Sequence, residues 1–173
     1  MPEVVKVHIR DIPDFPKPGI IFKDITTAIK QPEVFKRIIN FLTEEYKDRG
    51  IDYVAGIESR GFIFGAPLAY TLGSGLVVIR KPGKLPASVE KATYDLEYGT
   101  DTIEIHKDAI EPGKKVLIID DLLATGGTAA ASCQLVKKLG GKIAGIAFVV
   151  ELGFLNGRNK LPDDVKISSM ITY

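Results

Sequence analysis

The chain has little cysteine and histidine, and it has no tryptophan. Among its 173 residues there are one Cys, two His and no Trp. A single cysteine cannot form an internal disulfide, which excludes the disulfide-stapled scaffolds of small secreted proteins and favours a reducing compartment. Two histidines, His8 and His106, are too few for a histidine-based metal site. We therefore expect no metal ion bound directly by protein side chains.

The sequence also lacks long apolar runs and an excess of charge of one sign. No stretch approaches the ~18 consecutive apolar residues of a membrane span. The first residues, MPEVVKVHIRDIPDF, contain no apolar core of signal-peptide length. Lys and Arg number 23 against 22 Asp and Glu, a net charge of +1, which gives no general attraction to nucleic acid or anionic lipid. We expect a cytoplasmic protein with no nucleic-acid and no membrane partner.

What is present is a regular alternation of apolar strands and helices. Runs typical of buried strands lie at Ile51–Ile57, Leu76–Ile79, Val116–Ile119, Ile143–Val150 and Val165–Ile171. Helical spacing lies between them, from Pro32 to about Arg49, from Phe62 to Leu72 and from Ala129 to Leu139. This order predicts an α/β fold, a mostly parallel central sheet flanked by helices, in a single domain over 1–173. In such sheets ligands bind beyond the carboxyl ends of the strands.

Two segments depart from this alternation. Asp11–Ile25 carries three prolines and is typical of an extended surface segment rather than a helix. From Ser88 to His106 polar and apolar residues alternate, which predicts a β-hairpin. Its predicted apolar face holds Ile103 and Ile105, and its predicted face open to water holds Thr102, Glu104 and His106.

The strongest chemical signal is VLIIDDLLATGGT, at Val116–Thr128. The apolar run predicts a buried strand, and Asp120 and Asp121 are predicted to follow it directly. Gly126 and Gly127 allow a tight turn before the next helix, whose first N–H groups can converge on a phosphate. Ionised aspartates only accept hydrogen bonds, so they suit sugar hydroxyls. An ordinary strand, acidic turn and capped helix would also fit a glycine-rich turn alone. The tandem Asp together with Thr-Gly-Gly-Thr favours a sugar-phosphate site instead.

This stretch resembles the 5-phosphoribosyl pyrophosphate (PRPP) motif of the type I phosphoribosyltransferases. It is neither a P-loop nor a dinucleotide fingerprint, because no Lys-Ser/Thr follows the glycines and no G-x-G-x-x-G is present. The resemblance spans Asp14 to about Lys160 and includes IESRGF, IRKPGKLP and VVELGFLNGR. It implies a fold of that Rossmann-like type and Mg²⁺ held by PRPP and water. It also implies ribose binding by Asp120 and Asp121, and 5′-phosphate binding by Ala124, Thr125, Gly126, Gly127 and Thr128.

Two basic segments follow predicted strands at the same edge of the sheet. Glu58-Ser59-Arg60-Gly61 opens a helix, and an arginine fork suits phosphate oxygens, although an N-cap serine beside a surface arginine explains the same residues. Arg80, Lys81 and Lys84 form a basic loop that suits a lid over a pyrophosphate, whereas a charge run is more often a solvated surface. The resemblance implies pyrophosphate binding by Ser59, Arg60, Arg80 and Lys84, and it makes Glu58–Ser59 the candidate for a cis peptide bond.

Two further segments resemble the adenine-specific members of the family. FPKPGIIFKDI, within a hood that we place at about 11–30, implies that Ile21 and Lys23 contact the adenine edge through their backbone and that Phe22 stacks on the ring. Leu96-Glu97-Tyr98-Gly99 implies Glu97 as a catalytic acid or base beside the purine. The flexible loop and the hairpin together span about 81–106.

The resemblance implies a purine-salvage enzyme and a homodimer. Its substrates and products would be adenine, PRPP, AMP and pyrophosphate. Two alternatives stay open. One is a related transferase acting on xanthine, guanine or hypoxanthine, and the other is a non-catalytic PRPP-sensing regulator of nucleic acid. The regulator would need a DNA-binding extension, which the few residues before Asp11 and the near-neutral charge disfavour.

Overall fold

The computed structural model describes residues 2–96 and 99–173. The chain divides into two units, one ending at Phe41 and the other covering Leu42–Tyr173. No helix in the described ranges is both long enough and apolar enough to cross a bilayer.

The first unit is built around a two-stranded antiparallel sheet. Its elements are α1 (Pro2–Lys6), β1 (Arg10–Pro13), β2 (Ile21–Asp24), α2 (Thr26–Ile29) and most of α3 (Pro32–Tyr46). β1 and β2 pair so that Arg10 lies opposite Asp24, and the proline-rich stretch forms the connection between them. The expectation of an extended rather than helical segment is confirmed for both strands. The short helices α1 and α2 were not predicted.

The second unit holds the central sheet. In chain order its elements are β3 (Tyr53–Ile57), α4 (Arg60–Leu72), β4 (Gly75–Ile79), β5 (Val89–Asp95), β6 (Thr100–His106), β7 (Lys115–Leu123), α5 (Gly127–Lys138), β8 (Lys142–Glu151), two short 3-10 helices (Gly153–Leu155 and Gly157–Lys160) and β9 (Ile167–Thr172). The sheet order is β4-β3-β7-β8-β9, and every pair in it is parallel. The predicted mostly parallel sheet is confirmed.

Helices cover both faces of this sheet. Ile118 of β7 belongs to the buried cluster that contains Leu135 and Val136 of α5. Its neighbour Ile119 lies against Gly65 of α4, where an added Cβ would be 3.3 Å from the Ile119 side chain. Because successive side chains of a strand point to opposite faces, α4 and α5 lie on opposite sides of the sheet. The burial of both faces explains why β7 begins as a continuous apolar run.

The hairpin of β5 and β6 agrees with the predicted alternation, with one correction. Ile103 and Ile105 are buried, as expected of the apolar face. Glu104, predicted on the face open to water, is only 2% exposed. Its carboxylate forms an ion pair with Lys91 at 2.8 Å and accepts the Gly83 N–H at 3.2 Å. These partners offset the cost of burying a charge. They belong to other segments, so the alternation of residues along β6 alone does not reveal them.

Candidate active site

The carboxyl ends of β3, β4 and β7 meet at one edge of the sheet around a cavity of about 270 Å³. It is lined by Glu58, Arg60, Lys81, Tyr94, Asp120, Asp121 and Thr128, among others. The structure therefore brings together the segments that follow these strands, as the strand order predicted. A second, smaller hollow of about 70 Å³ lies beside it, within the turn formed by residues 122–129.

The acidic pair lies within β7, not after it. β7 continues to Leu123, because Asp120, Leu122 and Leu123 still pair with Phe148, Val150 and Glu151 of β8. The two aspartates consequently point to opposite faces of the strand. The Asp121 side chain is buried and accepts a hydrogen bond from Arg60 Nε at 2.5 Å. The Asp120 Oδ1 accepts the N–H of Asp121 at 2.8 Å.

Crowding gives Asp120 an unusual proton affinity. Residue Asp120 keeps some exposed surface, but protein atoms surround its carboxyl, and a Cβ added at Gly61 would lie 3.3 Å from Asp120 Oδ1. This burial, together with the nearby charge of Asp121, raises the pKa of Asp120 well above its usual value. The glycine in Glu58-Ser59-Arg60-Gly61 is needed here, since a Cβ at Gly61 would also lie 2.9 Å from the Ile119 carbonyl oxygen.

The turn between β7 and α5 has the shape of an anion site. α5 begins at Gly127, two residues earlier than predicted, and the preceding Gly126 has the left-handed φ of 81° that glycine adopts readily. The first N–H groups of a helix have no partner within it, so those of Gly127, Thr128 and Ala129 are not used by the helix itself. The positive end of the helix dipole lies at the same place. An anion such as a phosphate fits this arrangement.

A neighbouring segment, which the sequence analysis did not assign, supports this turn. A Cβ at Gly126 would overlap the Gly157 carbonyl oxygen, and one at Gly157 would overlap the Ala124 carbonyl oxygen. The next residue, Arg158, donates to both carboxylate oxygens of the buried Glu151 at 2.7 and 2.6 Å. These contacts lower the pKa of Glu151 and raise that of Arg158. The available signal was the glutamate that ends an apolar strand, six residues before a Gly-Arg pair.

The segments predicted to bind pyrophosphate lie at the start of α4 and at the end of β4. Ser59 is the N-cap of α4, but its side chain makes no capping hydrogen bond. The Glu58–Ser59 bond is not cis: the one cis peptide bond recorded in residues 2–96 and 99–173 is Phe15–Pro16. Arg80 Nε donates to Glu58 Oε2 at 3.2 Å, and its guanidinium lies 5.7 Å from the centre of the Phe62 ring. Lys84 is exposed.

Lys81 lines the cavity, as expected from its position just after β4. Its N–H donates to Glu58 Oε2 at 2.7 Å, and its Nζ donates to Asp101 Oδ2. The same Asp101 oxygen accepts the Tyr94 hydroxyl at 3.2 Å, and the Tyr94 oxygen accepts the Thr128 hydroxyl at 3.1 Å. Partial burial opposes ionisation of Asp101, but the bonds from Lys81 and the Thr102 N–H outweigh it and lower the pKa of Asp101. A hydrogen-bonded chain thus links the basic loop to the turn between β7 and α5.

The residues predicted to contact adenine lie in β2 of the first unit. Ile21 is 54% exposed. The ring of Phe22 meets that of Phe15 edge to face, with centroids 5.3 Å apart, and Lys23 Nζ forms an ion pair with Asp11 at 2.8 Å. Glu97, the predicted catalytic residue, lies outside the described residues, as does Tyr98.

The structure offers few protein ligands for a metal ion. Across the described part of the chain, no group of three or more His, Cys, Asp or Glu side chains is placed to hold one. The carboxylate side chains that line the cavity are Glu58, Asp120 and Asp121. Two of them, Glu58 and Asp121, already form ion pairs with arginines.

Comparisons with known proteins agree with this geometry. The family model described as a phosphoribosyl transferase domain matches residues 26–172. A curated adenine phosphoribosyltransferase of Acaryochloris marina is 57% identical over 169 residues, which cover 98% of this chain and 99% of that protein. The one from Chloroflexus aurantiacus is 63% identical over 153 residues, which cover 88% of each chain.

Solved structures of adenine phosphoribosyltransferases are similar to this chain in fold as well as in sequence. The crystal structure of adenine phosphoribosyltransferase from Thermoanaerobacter pseudethanolicus superposes with a TM-score of 0.96 at 54% identity and covers 100% of both chains. The Saccharomyces cerevisiae enzyme, complexed with an imino-altritol bisphosphate and adenine, superposes with a TM-score of 0.92 at 43% identity. That match covers 98% of this chain and 97% of the yeast one.

Proposed function

This chain belongs to the phosphoribosyl transferase family, and we propose that it transfers the 5-phosphoribosyl group of PRPP to adenine, giving AMP and pyrophosphate. It is a pentosyltransferase of purine salvage. The observation that carries this proposal is the single cavity in which an acidic pair, a helix N-terminus and basic side chains meet. The choice of adenine as the base is supported by relatives named adenine phosphoribosyltransferase, which match this chain over most of their length.

The 5′-phosphate is assigned to the turn at Ala124, Thr125, Gly126, Gly127 and Thr128. The helix N–H groups and the two threonine hydroxyls are donors, and each hydrogen bond to a charged group contributes about 1.5–3 kcal/mol. The ribose hydroxyls are assigned to Asp120 and Asp121, which lie near the end of β7, with Leu122 and Leu123 between them and the turn. The carboxyl oxygens of the pair can accept hydrogen bonds from the vicinal hydroxyls of the ribose.

The chemical step breaks the bond between the ribose C1 and the pyrophosphate oxygen and forms one to a purine nitrogen. Positive charge develops on the sugar, and a nearby carboxylate stabilises it. Ser59, Arg60, Arg80 and Lys84, joined by Lys81, are assigned to the departing pyrophosphate. Arg60 pairs with Asp121 and Arg80 pairs with Glu58, and these ion pairs hold both guanidinium groups at this end of the sheet.

Adenine is assigned to the backbone of Ile21 and Lys23 and to the ring of Phe22. A peptide C=O and N–H match the exocyclic donor and the ring acceptor of adenine. Glu97 is assigned the role of catalytic acid or base, which transfers a proton to or from the purine. The exposure of Ile21 and the place of β2 in a two-stranded sheet support a backbone contact, since β2 pairs with β1 along one edge only.

Mg²⁺ fits this chain as a companion of PRPP and not as a protein-held ion. The cavity offers few oxygen donors not already paired, and this cation keeps several of its waters and binds substrate phosphates. Bound to the pyrophosphate group, it would neutralise charge there. We also propose a cytoplasmic homodimer in which residues 1–173 form one catalytic domain, with the hood at about 11–30 and the loop and hairpin at about 81–106.

The test is AMP formation from adenine and PRPP, measured by chromatography with Mg²⁺ and with a chelator in its place. We expect AMP and pyrophosphate in equal amounts in the presence of Mg²⁺. Competition among adenine, guanine, hypoxanthine and xanthine should leave adenine as the base consumed. Consumption of a 6-oxopurine instead would establish the related transferase, and no product with any base would overturn the proposal.

A further inference from the structure

The hairpin places a charged side chain, which no catalytic assignment uses, against two residues that line the cavity, Lys81 and Tyr94. Asp101 lies at the start of β6, opposite Tyr94 of β5. Its Oδ2 accepts hydrogen bonds from Lys81 Nζ and from the Tyr94 hydroxyl, and its Oδ1 accepts the Thr102 N–H at 2.8 Å. Three donors thus converge on one carboxylate, and two of them, Lys81 and Tyr94, line the cavity.

The backbone of Lys81 is held in place, whereas its ammonium group can move. Its backbone is fixed, because the N–H donates to Glu58 Oε2 at 2.7 Å and the preceding residue, Arg80, pairs with Glu104 through both backbone groups. Its side chain is 43% exposed. The ammonium can therefore leave Asp101 and turn into the cavity while the loop backbone stays in place.

Asp101, in contrast, remains satisfied when Lys81 leaves. The Thr102 N–H and the Tyr94 hydroxyl still donate one hydrogen bond to each of its oxygens. The Asp101 side chain is 28% exposed, so water can reach it. A carboxylate with two retained donors and solvent contact does not become a costly unpaired charge. The ion pair can accordingly open and re-form without disturbing the hairpin.

We propose that Asp101 is a positioning residue: a built-in counter-ion that holds the Lys81 ammonium while no pyrophosphate is bound, yields it to the pyrophosphate, and takes it back when the product leaves. The inference rests on the proposed function, since it requires an anion of this kind in the cavity. Asp101 and the pyrophosphate compete for one cation. The carboxylate consequently weakens pyrophosphate binding and assists its release.

Substitution of Asp101 tests this competition. Asp101→Asn keeps the shape and removes the charge, so Lys81 has no competing anion, and we expect the Kd of pyrophosphate, measured by calorimetry, to fall about threefold to fivefold, as for an exposed ion pair. Product inhibition by pyrophosphate should strengthen by the same factor. A purely structural role for Asp101 would weaken binding instead.

Two further variants make the result specific. Glu90→Gln removes one negative charge from the same hairpin, where Glu90 pairs with Lys107 and lies four residues before Tyr94, and it should leave the Kd unchanged. In a Lys81→Met background, Asp101→Asn should no longer tighten binding, because the contested cation is gone. Asp101→Ser carries the same expectations if the Asn variant does not fold.

The outcomes separate the two proposals. Wild-type protein that neither binds pyrophosphate nor forms AMP would overturn the proposed function. Wild-type protein that does both, with an unchanged or weaker affinity in Asp101→Asn and Asp101→Ser, would overturn only the role of Asp101. Tightening that persists without Lys81 would also overturn it, since the charge would then act on the ligand directly.

Discussion

At the scale of single residues, the two neighbouring aspartates of β7 occupy different electrostatic environments. Asp121 lies against the guanidinium of Arg60, whereas the crowded Asp120 has a raised pKa. The Arg60 guanidinium offsets the charge of Asp121. An approaching anion such as PRPP is therefore repelled less than it would be by two unpaired carboxylates.

Glu97 is the residue on which the proposed chemistry depends most. Glu97→Gln removes its ability to exchange a proton but keeps its size. We expect kcat to fall about 10²-fold or more, in the range of general acid–base catalysis, with little change in the KM of PRPP. Steady-state kinetics with both substrates varied gives the two constants. Glu90→Gln, seven residues earlier in the chain, is the control. An unchanged kcat in Glu97→Gln would remove Glu97 from the mechanism.

Asp24 predicts a pH dependence of stability in the first unit. Hydrogen bonds from Thr26 and Arg10 lower its pKa from 3.8 to about 2. A carboxyl whose pKa is lower in the folded state stabilises the fold at pH values above its unfolded-state pKa. That stabilisation is lost as the pH falls through the folded-state pKa. Since Arg10 is 59% exposed, we discount the full effect to about 1–2 kcal/mol.

The measurement is the free energy of urea unfolding as a function of pH. Asp24→Asn should be less stable than wild type at neutral pH, and the difference should narrow as pH falls from 3.8 toward 2. Asp11→Asn, which removes a 54% exposed carboxylate from the neighbouring strand, should cost less. A difference between wild type and Asp24→Asn that stays constant through this range would contradict the assignment.

At the scale of elements, the turn after β7 depends on a segment that follows β8. Gly157→Ala places a Cβ where the Ala124 carbonyl oxygen lies, so the turn must move. We expect a loss of about 1–3 kcal/mol in stability, as for an overpacked site, and a raised KM for PRPP. The KM of adenine should change less, because adenine is assigned to other residues.

A neighbouring glycine provides the control for this substitution. A Cβ at Gly153 would lie 3.1 Å from Thr172 Cγ2, a tight contact with a side-chain methyl and not an overlap with the turn. Gly153→Ala should therefore leave the KM of PRPP near the wild-type value. Equal effects of the two substitutions on that constant would mean that the turn is not positioned by Gly157.

The elements also show what sequence patterns can and cannot predict. The apolar runs located β3, β4, β7 and β8, since a strand buried on both faces leaves a continuous signal. The extension of β7 through Asp120 to Leu123 was missed, because pairing with β8 stabilises it and local composition does not. Glu104 was misplaced for a related reason: its partners, Lys91 and the Gly83 N–H, come from other segments.

The site residues likewise divide into those that the sequence shows and those that only the folded structure brings together. Asp120, Asp121 and the glycine turn were recognisable because their chemistry is contiguous in the chain. The support from Gly157 and the chain from Lys81 to Thr128 were not, because each joins segments that are distant in sequence. Contacts of this kind depend on the folded backbone, and no local periodicity encodes them.

At the scale of the whole molecule, the proposed ligand contacts are divided between the two units. The turn assigned to the 5′-phosphate belongs to the second unit, and the residues assigned to adenine belong to the first. Each unit can therefore be tested with the part of the substrate assigned to it. Ribose 5-phosphate alone probes the turn, and adenine alone probes β2.

Amide hydrogen exchange measures the two contacts separately. Ribose 5-phosphate should slow exchange at residues 124–128, because the N–H groups at the start of α5 gain an acceptor. Adenine should slow exchange at Ile21 and Lys23, whose peptide groups are assigned to its edge. Each ligand serves as the control for the other. If adenine protected the turn and left β2 unchanged, the base would have to be reassigned to the second unit, and the hood would lose its role in selecting adenine.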